Sequence, residues 1–581
     1  MHDYLIKNAT IVDGSGAVPF NGDVAIADGQ IAAVGNLHEA AKETINADGA
    51  YLTPGWVDVH THFDGQVSWD DKLDPSFSHG VTSVVMGNCG VGFAPCPPGG
   101  ERRMIELMEG VEDIPGTALY EGIEWGRWET FPQYMDYLGT KSYTMDVGAQ
   151  VPHSAVRNYV MGERALQHED ATAEDLQAMI DIVADGLRAG AVGFSTSRTI
   201  GHRSVLGEPI PGTFAEKAEL LAIAGAMKTV GKGVFQAVPA GVVGEIAGPE
   251  KWTTEQEVEL FAEIAEASGR KCTFTLAQNR DNPDQWRNCL ALVEQANARG
   301  AIIQPQIATR PIGLVTSLKS YHMFERRETY LKLCELPFEQ RLAEMRKPEV
   351  KAAILADKDI APSQPGAMAN LYGLMAMMAP AMFPIDYPID YEPQADKNLG
   401  SLAAAQGQDI NAFMYDFLLS EGGNKFAIAL GANFVDGSFS VIEEMLEHPH
   451  TTIGLSDAGA HVNLIFDAVG PTYQLTHWVR DRTRGRKMPI ELIVHKQTQR
   501  NAELFGLHDR GSIAVGKKAD LNLFDLQRLG LGELAIHADL PAGGQRILQD
   551  AQGYLNTFVA GVKTRENDSD TGARPGRVIR A

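Results

Sequence analysis

Positive charge is in short supply in this chain. Lys and Arg total 50 against 75 Asp and Glu, leaving a net charge of -25 over 581 residues. Such a field repels phosphate backbones and anionic lipid surfaces and argues against nucleic acid as a partner. Cysteine is scarcer. The five present (Cys89, Cys96, Cys272, Cys289, Cys334) are too few for a disulfide framework, and their odd number leaves at least one thiol unpaired. A reducing compartment fits that usage. The first residues, Met1 to Asn8, enter a strand-like pattern without the charged-then-apolar layout of a signal peptide, so a cytoplasmic protein is expected. No apolar run reads as a membrane span. Gly366 to Phe383 is rich in methionine (Met368, Met375, Met377, Met378, Met382), but Asn370, Gly373 and Pro380 interrupt it. It reads as a buried helix or an adaptable contact surface. Internal repeats are absent, and low complexity is confined to the polar stretch Asn567 to Gly576.

With 44% hydrophobic residues and 59 glycines, the chain has ample material for a core. Its two ends share one texture. Tyr4 to Ile11, Val24 to Ala27 and Ile31 to Val34 are short β-rich runs broken by turns such as Asp13-Gly14 and Asp28-Gly29. Gly511 to Asp525 and Thr557 to Val562 look the same. Neither end can bury a core alone, so residues 1–53 and 506–581 are expected to fold together as one small β-sandwich domain.

Residues 54–505 alternate between apolar runs and helical stretches. The runs are Trp56 to His60, Thr82 to Gly87, Thr144 to Ala149, Ala191 to Ser195, Gly233 to Ala237, Cys272 to Leu276, Ala301 to Gln304 and Thr452 to Ser456. Intervening helices include Ala173 to Ala189, Ala215 to Val230 and Thr254 to Ala267. Eight strands with helices between them predict an α/β fold, a (β/α)8 TIM-like barrel with its active site at the carboxyl ends of the strands. Residues 311–445 are too long for a simple loop and read as a helical insertion, a lid or an oligomer contact. Self-association into a homo-oligomer is expected through it.

The sharpest local signal is Pro54-Gly55-Trp56-Val57-Asp58-Val59-His60-Thr61-His62. Side chains two apart on a strand share a face, so His60 and His62 present two imidazoles to one ion, a donor set that suits zinc. Met86-Gly87-Asn88-Cys89-Gly90 places a thiol on the same rim after the second strand. Cys89 is read as a ligand, with Cys96 as its competitor and a buried apolar role as the alternative. Gly454-Leu455-Ser456-Asp457 puts a carboxylate after the eighth strand, beside the first. Asp457 is read as a metal ligand and general acid/base, with a helix cap as the alternative.

These motifs, with Ile11-Val12-Asp13-Gly14-Ser15-Gly16, Gly193-Phe194-Ser195-Thr196 and Gly511 to Asp520, resemble the amidohydrolase superfamily nearly end to end. Asn88-Cys89-Gly90 narrows the resemblance to the D-aminoacylase or N-acyl-D-amino-acid deacylase group. The resemblance implies zinc-dependent hydrolysis of the amide of an N-acyl amino acid, with His60, His62 and Cys89 as metal ligands and Asp457 as the metal-linked acid/base. The chain departs from that group at two places. Gly233-Val-Phe-Gln236-Ala-Val-Pro239 and Cys272 to Asn279 lack the histidines usually found after the fifth and sixth strands, so one zinc is expected rather than two. If Cys89 binds as well, four protein ligands fill a tetrahedron and leave no place for water.

For a small-molecule substrate carrying a carboxylate, Arg198, Arg280 and Arg310 are candidates by location. His153 and His202 follow the third and fourth strands as further substrate-binding candidates, and the segment near Met375 is a candidate pocket wall. The same site would serve a cyclic amide, lactone or other carbonyl substrate. A barrel without turnover that binds a ligand is the reading from another class, and His60, His62 and Asp457 together favour the enzyme.

Overall fold

Strands covered on both faces need no polar alternation, and the short apolar runs of this chain fold accordingly as a buried parallel sheet. The computed structural model describes residues 1–242, 252–361 and 371–581. Six strands lie side by side in chain order: Trp56–Asp58, Val81–Met86, Asp146–Pro152, Gly193–Ser197, Val234–Val238 and Cys272–Phe274. Every neighbouring pair is parallel. Gln306–Ile307 and Thr452–Ile453 supply a seventh and an eighth strand, parallel to each other. Bridges Cys272↔Ile303 and Thr275↔Gln306 attach this pair at one edge, and Thr61↔Ala458 attaches it at the other. The outcome is a mixed α/β fold whose curled parallel sheet is consistent with a TIM-like barrel.

Helices Ala173–Arg188, Lys217–Val230, Thr254–Ser268 and Gln285–Ala298 follow the third to sixth strands and pack against one another in turn. Local chemistry sets their ends. Thr172 with Asp175 and Thr253 with Gln256 form capping boxes, and Gly231 and Gly269 stop two helices in the left-handed region.

Several strands differ from their apolar runs. The first ladder stops at Asp58, so His60 and His62 lie beyond the strand proper, on backbone kept extended by the Thr61 bridge and the Thr61 N–H to Val85 carbonyl bond. The seventh strand follows Ala301 to Gln304 instead of coinciding with it. The eighth stops at Ile453, short of Ser456, because Leu455 and Asp457 take left-handed φ values of 57° and 47° that no ladder accommodates.

The two chain ends meet in one nine-stranded sheet. Tyr51–Pro54 from the first end pairs antiparallel with Leu521–Phe524 from the second, Leu521 opposite Pro54 and Phe524 opposite Tyr51. Asp28-Gly29 closes the hairpin between Phe20–Ala27 and Gln30–Gly35 with φ of 50° and 76°, the conformation a two-residue hairpin turn requires. The sheet buries its own cluster of Ile6, Ile11, Val24, Leu52, Leu521 and Phe558. Beyond it, the stretch read as a low-complexity tail is ordered. Gly576 and Val578 bridge to Tyr143 and Val147, and Gly576 is needed there because an added Cβ would lie 2.1 Å from the Met145 carbonyl oxygen.

A second core gathers side chains from Leu318 to Ala429 together with Leu464 and Ile465, while Phe439, Ile442 and Met445 pack in the main core. Helices Phe338–Met345, Pro348–Ala356, Leu399–Ala405 and Ile410–Leu419 accompany a three-stranded antiparallel sheet of Ile312–Thr316, Ala427–Ala432 and Phe383–Pro384. Of the methionine-rich stretch, residues 366–370 lie outside the described residues. The described part begins with helix Leu371–Met378, whose Met375 is buried in that core, so Met375 packs the insertion and is no wall of the ion site. Among the described residues no helix is long and apolar enough to cross a membrane.

Candidate metal centre

The ends of the first and eighth strands are stitched together. Gly55 lets the start of the first strand lie against the second, since an added Cβ would meet Thr82 Oγ1 at 2.2 Å. Ser456 Oγ, with one proton to share, lies 2.5 Å from Asp58 Oδ2 and 3.0 Å from the His60 carbonyl oxygen. The His60 carbonyl also accepts from Asp457 N–H, and His62 N–H donates to the Ala458 carbonyl. These bonds bring Asp457 against both histidines: its Oδ1 lies 3.3 Å from His60 Nε2 and 3.7 Å from His62 Nε2.

Cys89 arrives from the second strand on a turn that only its glycines permit. Gly87, Cys89 and Gly90 have φ of 76°, 56° and 74°, and an added Cβ at Gly87 would sit 2.6 Å from the Gln150 carbonyl oxygen. Side chains from the third, fourth and fifth strands hold the turn. Gln150 Nε2 donates to Asn88 Oδ1, Gly90 N–H donates to Ser195 Oγ, and Cys89 N–H donates to Gln236 Oε1. Cys89 Sγ then lies 3.3 Å from His60 Nε2 and 3.8 Å from His62 Nε2.

The ligand atoms of His60, His62 and Cys89 all fall within 4.8 Å of one another, and the three side chains are buried. That compact group does not include Asp457. Cys96, the competing thiol, turns to the Pro97 carbonyl at 3.7 Å and is no part of the group. Each histidine has an outer neighbour at Nδ1. His60 Nδ1 is 2.6 Å from Gln306 Oε1, an acceptor that holds the ring with Nε2 toward Cys89 and Asp457. His62 Nδ1 faces Glu112 Oε1 at 3.3 Å.

Electrostatics match a site built for a cation. Burial pushes His62 down to about 4, leaving a neutral imidazole at neutral pH. Burial, together with Glu112, Asp457 and Asp64, pushes the Cys89 thiol well up, so it ionises only if positive charge is supplied. Burial raises the Asp457 carboxyl too, but His60, His62 and His461 outweigh it and hold the group well below the usual carboxylate range. Asp58 and Asp64 are raised to about 7 by burial.

The residues expected to bind substrate are distributed differently from one another. His202 is half-buried, keeps Nδ1 2.9 Å from Ser197 Oγ and is pushed down to about 3 by burial, then by His461 and His62. Arg198 is buried, with Nε at 3.1 and 3.0 Å from the Glu257 carboxylate oxygens and a bond to the Ala215 carbonyl. Arg310 is buried too, paired with Asp467 and stacked 4.0 Å over Phe466. Both forks are turned to internal partners because a guanidinium in the interior must be neutralised. His153 is likewise internal, its two nitrogens on Thr196 Oγ1 at 2.8 Å and Glu219 Oε1 at 2.7 Å. Arg280 stands exposed after the sixth strand.

Sequence reasoning missed Glu112, Gln306, Gln236 and His461 as parts of this centre. Glu112 and Gln306 carry no spacing signal; His461 lies only four residues beyond Asp457 and was within reach.

The amidohydrolase family model matches residues 43–562. A D-aminoacylase from Alcaligenes xylosoxydans xylosoxydans is 34% identical over 195 residues, which are 33% of this chain and 37% of that protein. The matched stretch thus spans little more than a third of that relative. An uncharacterized protein of Mycobacterium tuberculosis is 24% identical over 557 residues, covering 90% of this chain and 84% of its own. Among solved structures, a D-aminoacylase superposes with a TM-score of 0.65 at 23% identity over the whole of both chains. An N-acyl-D-glutamate deacylase from Bordetella bronchiseptica, solved with zinc and a phosphonate inhibitor, superposes at 0.63 with 24% identity, also over the whole of both chains. The motifs, the curled parallel sheet and the match across most of its length have one conclusion: this chain belongs to the amidohydrolase family.

Proposed function

We propose that the chain is a zinc-dependent hydrolase that cleaves the amide bond of an N-acyl amino acid, with one zinc held by His60, His62 and Cys89 and with Asp457 as general acid/base. The observation that carries this reading is the buried donor group with Asp457 Oδ1 against both histidine Nε2 atoms. The donors fit zinc. Bonds of about 2.0–2.1 Å to nitrogen and 2.3 Å to sulfur place tetrahedral N and S donors roughly 3.5 Å apart, and the sulfur here lies 3.3 and 3.8 Å from the two nitrogens. Zinc supplies a lowered pKa for water and a polarised scissile carbonyl.

The chain's own residues do the rest. Gln306 holds the His60 ring so that Nε2 faces the donor group. Asp457, 21% exposed at its side chain, accepts a proton from the attacking water and returns it to the departing nitrogen. Because the compact group holds three donors, Asp457 serves the proton transfer without closing the tetrahedron. His202, held by Ser197, serves as a contact for substrate. The D-aminoacylase and the zinc-and-phosphonate deacylase support the substrate class. In this reading residues 1–53 and 506–581 form a β-sandwich around the Ile6, Leu52 and Leu521 cluster, and residues 54–505 form the catalytic barrel with its 311–445 insertion.

Metal analysis and Asp457→Asn test the reading. About one zinc per chain is expected, with kcat/KM reduced by roughly 10²–10⁴ in the variant. Full activity after complete metal removal, or in Asp457→Asn, overturns it.

A further inference from the structure

Glu112 is the last residue of helix Glu101–Glu112, far from the ion site in sequence, yet it is 1% exposed and stands between two histidines. Oε1 is 3.3 Å from His62 Nδ1 and Oε2 is 3.6 Å from His461 Nε2. Neither Oε1 nor His62 Nδ1 makes an aligned hydrogen bond. The same helix end is tied to its surroundings in three further ways. The Glu112 carbonyl accepts from His461 N–H, Asp113 Oδ1 accepts from Tyr321 of the insertion at 2.7 Å, and Gly110 lets the helix lie on the Arg203–Val205 backbone, where an added Cβ would come within 2.3 Å of Ser204. The segment it meets is strained: Leu455, Asp457 and His461 all have left-handed φ.

We propose that Glu112 is a positioning residue that couples the ion-binding His62 to the substrate-facing segment Asp457–His461, an inference that rests on the zinc reading above. A buried carboxylate is costly unless hydrogen-bonded and neutralised. A cation held at His62 Nε2 would favour the ionised form of Glu112, which burial otherwise disfavours, and would make a His62 Nδ1–H a stronger donor to Oε1. The other oxygen then holds His461, and with it the loop that carries Asp457. The outer nitrogen of His60 is held differently: its partner, Gln306, lies on a barrel strand and carries no charge.

Zinc competition against a chelator, with hydrogen exchange of residues 455–465 with and without zinc, tests the coupling in the full chain. In the wild type, zinc is expected to protect the Asp457–His461 amides. Glu112→Ala is expected to bind zinc about 10–100-fold more weakly and, at saturating zinc, to leave those amides at their zinc-free exchange rate. Gln306→Leu should weaken zinc while keeping the zinc-induced protection, which separates coupling from affinity. Glu112→Gln preserves shape and serves if the alanine variant fails to fold; its protection is expected to be reduced. Unchanged protection in either folded Glu112 variant overturns the coupling. A wild-type chain that takes up no zinc defeats the zinc reading itself, before any variant is compared.

Discussion

Replacing Gln306 with leucine removes the oxygen that holds His60 and changes little else. The His60 Nδ1 to Gln306 Oε1 bond is 2.6 Å long, and both residues are at most 1% exposed. Without it the Nδ1–H is buried and unpaired, a loss of about 1–3 kcal/mol. The ring is also free to turn Nε2 away from the donor group. Loss of an outer partner typically weakens metal binding about 10–100-fold, or about 1.4–2.7 kcal/mol, which agrees with the hydrogen-bond figure. The metal-free fold should lose less than the metal site does, because Gln306 Nε2 has no partner and its removal relieves a buried donor. Chelator competition gives the zinc affinity, and thermal unfolding of the metal-free protein gives the stability. Weaker zinc binding with a small change in melting temperature is expected, with activity restored by excess zinc. An affinity within twofold of the wild type refutes the role assigned to Gln306.

Three other outcomes follow from the geometry. Glu257→Ala strands Arg198 in the interior and should cost about 3–5 kcal/mol in urea unfolding, while the pair Arg198→Met with Glu257→Leu should cost less; equal losses refute the internal ion pair. Gly87→Ala forces a Cβ to within 2.6 Å of the Gln150 carbonyl at a φ of 76°, so stability should fall by more than about 1 kcal/mol and zinc content should drop, as melting and metal analysis will show. His79 bonds Thr472 Oγ1 and the Gln549 carbonyl, and burial, then Arg565, pushes it down to about 4. Between that value and its unfolded value of about 6.5 the unfolded chain binds more protons, so stability should decline on acidification by up to about 1.4 kcal/mol per pH unit, and His79→Gln should flatten the slope.

Much of this architecture is legible in the chain itself. Buried parallel strands announce themselves as short apolar runs between glycines, and the matching textures of the two ends anticipate the Leu521 to Pro54 pairing. His60, His62 and Cys89 sit in local motifs, and the left-handed turn at Gly87, Cys89 and Gly90 is written in adjacent residues, whereas the bridge at Thr61 needs Ala458 from the far end of the barrel. What neutralises what is not local. Arg198 finds Glu257 59 residues away, Arg310 finds Asp467 157 residues away, and His60 finds Gln306 246 residues away. An arginine after a barrel strand has the same composition whether its fork meets substrate or a buried carboxylate, so only the packed interior assigned Arg198 and Arg310 to internal partners. Glu112 makes the same point, because a carboxylate at a helix end is ordinary until the fold sets it between two imidazoles. The order of residues determined which side chains reach the rim, and tertiary packing, through burial and the need to compensate every buried charge, decided which of them face the ion site.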